Sequence, residues 1–324
     1  MVIADRAMAV SYVIPVFNRS RYIKEVIEAI NRQSGINRSE VIIIDDASSD
    51  NPEKEINPFK QDNIKVFFNR QNMGAAYSRN LGFRMSKHEY IAFIDSDVIL
   101  LPDTTVKMLE ICQEYDIAHV VPFWPNGKPI VSLENSKEYP RISACYMMKK
   151  ETLQYLDRIG QLYDENYGIY LEDIDFFFRC SLFGLKAKCI EEMNALHIAF
   201  DFTKDTSYRH YLCLRNNIYS NIKYLRIKIP GKPDFKNVFS FKSIILKIIA
   251  MLFNYDLYKK YSAQISGKKR HLNNIQWMRD PSLKITSRHL LLFFLIPRAI
   301  LWNILNIHSP LKKGKQLAKL ICQK

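Results

Sequence analysis

Several features that would mark other classes of protein are missing from this chain of 324 residues. The six cysteines include no Cys-x-x-Cys pair, which indicates reduced cytosolic thiols rather than a disulfide framework or a zinc site. No Gly-x-Gly-x-x-Gly motif follows the first apolar run, which argues against a dinucleotide-dependent dehydrogenase. No apolar run reaches the roughly 18 residues of a spanning helix. The first ten residues also lack the apolar run of a signal peptide, so a cytoplasmic protein is expected.

Glutamate is absent from the second part of the chain. Residues 201–324 contain 24 Lys and Arg, five Asp and no Glu, a net charge of +19, whereas residues 1–200 have a net charge of −5. The hydrophobic fraction of 48% and the charged fraction of 25% are ordinary for a globular protein, so disorder is not the default expectation. The uneven charge predicts two functional parts, a mildly acidic one and a strongly basic one.

Strand and helix patterns alternate along the acidic part. Apolar runs rich in β-branched residues predict four buried strands, at residues 10–15, 40–44, 64–68 and 90–94. Helical spacing between them predicts helices at residues 22–33 and 74–85. This alternation predicts an α/β fold with a mostly parallel sheet and helices on both faces. Ligands of such sheets bind beyond the carboxyl ends of the strands, where acidic clusters stand in this sequence.

Two acidic motifs follow predicted strands. Asp95 and Asp97 come directly after YIAFI, and two carboxylates held on a rigid edge can bind a divalent ion that bridges two phosphates. The same acids are also compatible with a plain loop or a helix cap. The motif DDASSD at residues 45–50 follows the second strand. An acid there can accept hydrogen bonds from a base or a ribose, although turn formation alone would also explain it.

Two further motifs contain candidate catalytic side chains. In NMGAAYSRN, Gly74 permits a close backbone approach and Arg79 is a planar donor for diphosphate oxygens, or else a surface residue of a glycine-started helix. In YLEDID, Glu172 or Asp173 can deprotonate an acceptor hydroxyl, whereas acids at a helix start also stabilise the helix dipole. His197 is either a third metal ligand or a satisfied core residue.

In their order and spacing these motifs resemble one family. The segments SYVIPVFNRSRYIKEVIEAINRQ, EVIIIDDASSD, NMGAAYSRNLG, YIAFIDSD and YLEDIDFFFRC, with His197 downstream, resemble the family-two inverting glycosyltransferases of bacterial surface-polysaccharide type. The resemblance covers about residues 8–220. It implies the GT-A fold, a Rossmann-like, mixed and mostly parallel sheet flanked by helices. The catalytic domain would span 1–225, with a nucleotide-sugar half at 8–122 and an acceptor half at 123–225, followed by a basic helical region at 226–324.

The resemblance also implies roles for individual residues. Asp46 would pair with the base, Arg79 would approach the diphosphate, and Asp173 would be the general base. The metal, Mn²⁺ or Mg²⁺, would be held by Asp97 and His197. Other donor contacts would come from Pro15, Val16, Asn18, Asp95 and Ser96. Apart from the resemblance, Trp124 and Tyr146 are candidate sugar-stacking residues for the acceptor because they are aromatic residues of two loop regions, and Glu172 is a further candidate acceptor contact.

The activity implied is sugar transfer with inversion from a nucleoside-diphosphate sugar, with UDP expected as the nucleotide. The acceptor would be a glycan or a lipid-linked molecule, in polysaccharide, lipopolysaccharide or capsule biosynthesis. Such an enzyme would be cytoplasmic and peripherally associated with the inner face of the cell membrane.

The basic region lies beyond the resemblance. Apolar stretches with Lys and Arg flanks at residues 239–255 and 290–305 suit helices that lie in an anionic membrane interface. One alternative is a helical cap packed on the catalytic domain, with a solvated basic face. Another is a basic nucleic-acid- or membrane-binding protein with an inactive GT-A domain. The region matches no nucleic-acid recognition motif, so no nucleic-acid partner is expected.

Overall fold

The computed structural model describes residues 8–34, 38–59, 62–136, 140, 142–199, 206–224 and 285–322. The chain divides into two compact units, Met1–Phe200 and Asp201–Lys324. The boundary predicted between residues 225 and 226 does not coincide with this division, because the helix at Thr206–Tyr224 groups with the second unit.

The first half of the first unit contains β1 (Ala9–Val16), α1 (Ser20–Asn31), β2 (Arg38–Asp45), α2 (Pro52–Ile56), a 3₁₀ turn (Asn57–Phe59), β3 (Ile64–Phe68), α3 (Ala75–Met85) and β4 (Tyr90–Ile94). The rest of the unit contains β5 (Val98–Leu100), α4 (Thr104–Glu114), β6 (Ile117–Val120), α5 (Leu133–Ser136), β7 (Cys145–Lys149), α6 (Lys150–Arg158), a 3₁₀ turn (Glu165–Tyr167), α7 (Glu172–Leu182), β8 (Ala187–Ile190) and β9 (Ala195–His197). The four strands predicted up to residue 94 are confirmed.

Seven strands form one mixed sheet in the order β3-β2-β1-β4-β7-β6-β8. Strands β1 to β4 pair in parallel, while β7 runs antiparallel to both of its neighbours, β4 and β6. Strand β8 pairs in parallel with β6. The prediction of a mixed, mostly parallel sheet is therefore confirmed. The antiparallel β7 could not be read from its apolar pattern, since strand direction depends on the partner strand.

Helices cover both faces of the sheet because apolar side chains leave each central strand on both sides. Tyr12 and Ile14 of β1 belong to a cluster with Ile23 of α1 and Met108 of α4. Val13, between them, points to the other face, where it meets Gly82 of α3 so closely that a Cβ on that glycine would collide with it. Continuous burial of this kind is typical of central parallel strands.

The second unit contains three described helices, α8 (Thr206–Tyr224), α9 (Ile285–Leu305) and α10 (His308–Cys322). Asn303 of α9 donates a hydrogen bond of 3.0 Å to the Arg215 carbonyl of α8, and the Arg215 guanidinium lies 4.5 Å from the centre of the Trp302 ring. None of the helices in the described part of the chain combines the length and apolar character needed to cross a membrane. The apolar stretch noted at residues 239–255 lies outside the described residues.

Candidate active site

The carboxyl ends of β1, β2 and β4 meet at one edge of the sheet. Val16 pairs with Asp45 across β1 and β2, and β4, on the other side of β1, ends one residue before Asp95. The Asp95 amide donates a hydrogen bond of 2.9 Å to the Ala144 carbonyl. This bond continues the pairing of β4 with β7 into the acidic motif. The two acidic motifs therefore lie at the same sheet edge, as the strand pattern predicted.

The loop after β1 is fastened to the loop after β2. Asn18 adopts a positive φ of 52°, its amide donates to the Ser48 hydroxyl at 2.9 Å, and its side-chain oxygen accepts from the Ser49 amide at 2.8 Å. The Ser20 amide donates to Asp50 at 2.9 Å. Short polar residues of the motif DDASSD thus form turns and also set the shape of the predicted base pocket.

Pro15 and Val16 form the end of β1, on the sheet side of that pocket. Val16 is buried, and its carbonyl accepts the Asp46 amide at 2.8 Å. Ser96, between the two aspartates of the second motif, is also buried. These three residues line the edge through their backbone and small side chains.

Asp46 binds the loop that leads into α3. Its carboxylate accepts hydrogen bonds from the Asn69 side chain at 2.7 Å, the Met73 amide at 2.8 Å and the Gly74 amide at 2.7 Å. Asp46 is buried, and both of its oxygens are engaged by these donors. In this structure Asp46 holds together the two loops that flank the predicted nucleotide site.

The neighbouring Asp45 has a carboxylate oxygen without a hydrogen-bond partner. Its Oδ2 accepts the Ser48 amide at 3.1 Å, whereas its buried Oδ1 has no partner. Asp45 contributes to a cavity of about 320 Å³ lined also by Ser48, Asn51, Pro52, Glu53 and Phe68. The sequence interpretation placed Asp46 at the base, and the oxygen without a partner makes Asp45 a further candidate that the pattern Asp-Asp does not single out.

Asp97 and His197 lie side by side. Antiparallel pairing of β5 with β9 places Val98 opposite His197, so the imidazole Nε2 lies 3.6 Å from Oδ1 of Asp97. The Arg19 guanidinium lies 3.6 Å from the other carboxylate oxygen, a neighbour that the sequence did not indicate. Burial raises the pKa of Asp97, against the opposing charges of His197 and Arg19.

A complete set of protein ligands for a metal is not assembled among the described residues, since no group of three or more His, Cys, Asp and Glu side chains converges there. The pair Asp97 and His197 offers one oxygen and one nitrogen donor, and the buried Nδ1 of His197 has no hydrogen-bond partner. Two such donors fit a divalent ion that takes its remaining ligands from a phosphate group and water.

Arg79 joins the two acidic motifs of the site. Its Nη2 donates to Asp95 at 2.8 Å and its Nη1 donates to Glu172 at 2.9 Å. Arg79 is buried, and its guanidinium lies 5.4 Å from the centre of the Tyr163 ring. Its two ends are therefore committed to carboxylates, an arrangement that the sequence interpretation as a diphosphate contact did not include.

Glu172 and Asp173 begin α7 after a strained turn. Tyr170 and Leu171 have positive φ angles of 70° and 68°, values that cost energy for residues with a Cβ. The Gly168 carbonyl accepts the Ala76 amide at 3.1 Å, so this turn is attached to the start of α3. Strain of this kind persists where the surrounding structure fixes a position, here that of the acidic pair.

The two acids have different surroundings. Asp173 is half-buried and accepts the amides of Ser143 at 3.2 Å and Ile174 at 2.8 Å. Glu172 is buried, and its Oε2 has no hydrogen-bond partner. Burial and the charge of Asp173 raise the pKa of Glu172 to about 7, although Arg79 opposes them. Burial likewise raises the pKa of Asp173, against Arg79 and the two amides.

The third acid of this motif, Asp175, is structural. It is fully buried, accepts from Nε of Arg179 at 2.8 Å and from the Tyr167 hydroxyl at 3.0 Å. Arg179 in turn donates to the Leu162 carbonyl at 2.8 Å. The sequence left open which acid of the motif has such a role.

The two aromatic residues predicted to contact the acceptor have different positions. Trp124 is half-buried, and its ring centre lies 4.9 Å from that of His197, so it borders the candidate metal pair. Tyr146 is fully buried, stacks on Phe93 at 4.8 Å and shares a hydrogen bond of 2.7 Å with the Tyr163 hydroxyl. Tyr146 therefore packs beneath the site and offers no exposed face to an acceptor, because its strand position points into the sheet–helix core.

Comparison with known proteins agrees with this geometry. Residues 11–163 match the family model described as Glycosyl transferase family 2. A similar relative is the glycosyltransferase GlyG of Streptococcus pneumoniae, 34% identical over 114 residues, which are 35% of this chain and 38% of that protein. The alignment thus spans well under two thirds of that relative.

Two solved structures share the fold. S. aureus TarS in complex with UDP-GlcNAc has a TM-score of 0.55 and 15% identity, over 97% of this chain and 90% of that one. The mannosyltransferase PcManGT from Pyrobaculum calidifontis, in complex with GDP-Man and Mn²⁺, has a TM-score of 0.55 and 13% identity, over 91% of this chain and 86% of that one. These likenesses confirm the predicted GT-A fold.

Proposed function

We propose that the protein transfers a sugar, with inversion, from a nucleoside-diphosphate sugar to an acceptor hydroxyl, as the match of residues 11–163 to the glycosyl transferase family 2 model supports. The observation that carries the proposal is the convergence of Asp95, Asp97 and His197 with Glu172 and Asp173 around one sheet edge, joined by Arg79. A donor's diphosphate and an acceptor's hydroxyl need these two kinds of group on either side of one anomeric carbon.

The nucleotide is assigned to the loops after β1 and β2. Asp45 lines the cavity of about 320 Å³, and its unpartnered Oδ1 would accept a hydrogen bond from a base or a ribose there. Asp46, predicted to pair with the base, lies beside this cavity residue and holds the loop at residues 69–74 through the Met73 and Gly74 amides. UDP is the proposed nucleotide, a choice supported by the complex of TarS with UDP-GlcNAc.

The metal is assigned to Asp97 and His197, with Mn²⁺ or Mg²⁺ as the candidates. When bound there, a divalent ion supplies positive charge that stabilises the departing diphosphate. The complex of PcManGT with GDP-Man and Mn²⁺ supports this assignment. Arg19, 3.6 Å from Asp97, adds a fixed positive charge next to the same place.

Asp173 is proposed as the general base. The acceptor hydroxyl attacks the anomeric carbon, its proton passes to the Asp173 carboxylate, and the bond from that carbon to the diphosphate oxygen breaks. The amides of Ser143 and Ile174 fix the orientation of this carboxylate, while burial raises its pKa and so increases its basicity. Glu172 accepts a hydrogen bond from Arg79, and it is proposed to position the start of α7 and thereby the Asp173 carboxylate next to it.

The acceptor is proposed to be a glycan or a lipid-linked molecule, in the synthesis of polysaccharide, lipopolysaccharide or capsule. Trp124 is the proposed stacking surface for an acceptor sugar, since its half-buried ring lies against His197. The strongly basic second unit supports a place at the inner face of the cell membrane, as a peripheral enzyme.

Calorimetric titration with UDP, GDP and CDP, with and without Mn²⁺, tests the donor and metal assignments. We expect one nucleotide to bind in a metal-dependent manner and the Asp97→Ala variant to lose that dependence. Glu192→Gln is the matched control, because this acid is 79% exposed and lies outside the site. Absence of binding by all three nucleotides in both conditions would overturn the proposal.

A further inference from the structure

Exposed apolar side chains cluster at the junction of α9 and α10. Six large hydrophobic residues within residues 300–311 are at least 38% exposed, and Leu305 is 72% exposed. They are Ile300, Leu301, Ile304, Leu305, Ile307 and Leu311. We refer to these six residues as the α9–α10 apolar patch. Single exposed apolar residues are normal on a protein surface, whereas a contiguous group indicates a binding surface.

The patch follows the helical period. Ile300 and Ile304, like Leu301 and Leu305, lie four positions apart on α9, while Ala299 and Asn303 on the opposite side are buried within the second unit. Asn303 fixes this orientation by donating to the Arg215 carbonyl of α8 at 3.0 Å. The helix is therefore held with one face packed and the apolar face outward.

Positive charge borders the patch. On α10 the exposed residues after Leu311 include Lys312, Lys315 and Lys319, and Arg298 precedes the patch on α9. Residues 285–322 contain six Lys and Arg and no Asp or Glu. An apolar face bordered by cations and free of acids matches the surface of a membrane that contains anionic lipid.

From the apolar face and its cationic border, we propose that the α9–α10 apolar patch is a docking surface for an anionic lipid bilayer, into which the patch inserts as far as the interface. If the same patch of a second copy of the chain bound here, the six Lys and Arg of residues 285–322 in one copy would face the same six in the other. Residues 225–284, with 13 Lys and Arg and three Asp, would also bring positive charge to it. Both of these occupants are disfavoured by like charge, whereas an anionic bilayer is attracted.

The inference deepens the proposed function, since a bilayer surface is where a lipid-linked acceptor is found. Only this link to the acceptor rests on the proposed function. The lipid contact itself rests on the exposed residues of α9 and α10, which are separate in sequence from residues 11–163, the segment that matches the family model.

The test is co-sedimentation of the full chain with vesicles, of phosphatidylcholine alone or mixed with phosphatidylglycerol, at low and high salt. We expect binding to the mixed vesicles and a loss of binding at high salt. Leu301→Gln combined with Leu305→Gln should lower the bound-to-free ratio about tenfold, because two leucine side chains no longer enter the interface. Lys312→Gln combined with Lys315→Gln should lower it by roughly tenfold or more on the anionic vesicles.

Met85→Gln combined with Met193→Gln is the matched control, since these side chains are 38% and 49% exposed in the first unit and should leave vesicle binding unchanged. Wild-type binding by the leucine pair variant, or equal binding to neutral and anionic vesicles, would overturn the inference. So would a concentration-dependent dimer in light scattering that the leucine pair variant abolishes. Calorimetry with UDP on the same samples separates the two proposals, because nucleotide binding without vesicle binding rejects only the docking surface.

Discussion

Arg79 and Glu172, 93 residues apart in the sequence, form a buried ion pair with an Nη1–Oε1 distance of 2.9 Å. The other end of the same guanidinium binds Asp95. One side chain thus connects the acidic motif after β4 with the acidic pair at the start of α7. The distance between the proposed donor and base groups depends on this connection.

Arg79→Gln should destabilise the protein strongly. Without the guanidinium, the buried Glu172 loses its partner, which typically costs about 3–5 kcal/mol in the free energy of unfolding, and Asp95, which is 30% exposed, adds less. Arg84→Gln is the control on the same helix, because Arg84 is 48% exposed in its pair with Asp157 and should cost less than about 1 kcal/mol. Urea unfolding of both variants measures the difference, and equal losses would mean that the Arg79 pairs do not contribute as argued.

The raised pKa of Glu172 predicts a pH dependence of stability. Its pKa is about 7 in the folded protein and near 4.5 when unperturbed, so the folded state binds more protons between these values. The free energy of unfolding should therefore fall as pH rises through this window, by up to about 3 kcal/mol at roughly 1.4 kcal/mol per pH unit. Burial raises the pKa of Asp173 and of Asp97 as well, which adds to the fall in the same direction.

Glu172→Gln separates this contribution from the others. The variant has no proton to release at this position, so its unfolding free energy should fall less between pH 5 and pH 7 than that of the wild type. Urea unfolding at several pH values compares the two slopes, independently of any constant offset between the proteins. Parallel slopes would show that Glu172 titrates in its ordinary range.

Gly74 should tolerate no side chain, because of its backbone conformation (φ 90°, ψ 163°), which essentially only glycine adopts, and because of a close neighbour. A Cβ at Gly74, where φ is 90°, would lie 2.5 Å from the Gly168 Cα, whereas Gly184 has a similar φ of 72° and open space around it. Gly184→Ala should cost about 1–2 kcal/mol in unfolding free energy. Gly74→Ala should cost more and also lower the transfer rate by roughly tenfold or more, since the turn before Glu172 must shift.

Thermal unfolding and initial-rate measurements on the two glycine variants check this. The decisive comparison is the transfer rate at a temperature at which both variants are folded. If Gly74→Ala loses no more activity than Gly184→Ala, the contact between Gly74 and Gly168 does not position the acidic pair.

The acidic clusters were predictable from sequence because their position depends on local pattern. Apolar runs that end in Asp45-Asp46 and in Asp95 place these acids at strand ends, and the parallel arrangement brings the strand ends to one edge. The different hydrogen bonding of Asp45 and Asp46 was not predictable, because it depends on a network between Asp46 and residues 69–74.

The contacts of Arg79 and Tyr146 could not be predicted from the sequence for a similar reason. Arg79 meets Glu172 only when α3 and α7 pack together, and no local pattern encodes that distance. Tyr146 lies on an antiparallel strand whose direction the apolar pattern does not give, so the predicted acceptor contact is a core residue. Local periodicity fixes which residues share a strand end, whereas tertiary packing fixes which side chains meet.

Asp173 and Asp175 should respond in opposite ways to the same substitution. Asp173→Asn keeps the size of the side chain and one acceptor oxygen. It removes the carboxylate, whose pKa is raised by burial. It should bind UDP as the wild type does, while the transfer rate falls by roughly a hundredfold or more because the proton acceptor is gone. The Asn NH2 group would face one of the Ser143 and Ile174 amides, which should cost about 1–3 kcal/mol in unfolding free energy. Asp175→Asn breaks the buried pair with Arg179 and should cost about 3–5 kcal/mol in unfolding free energy.

The two variants together distinguish chemistry from folding. A base is identified by a loss of rate in a folded protein that still binds the donor, whereas substitution of a structural acid mainly lowers stability. Steady-state rates, UDP calorimetry and urea unfolding on both proteins give the three readouts. Near-normal transfer by Asp173→Asn would remove it as the base and leave Glu172, the adjacent carboxylate with an unpartnered oxygen, as the group to test next.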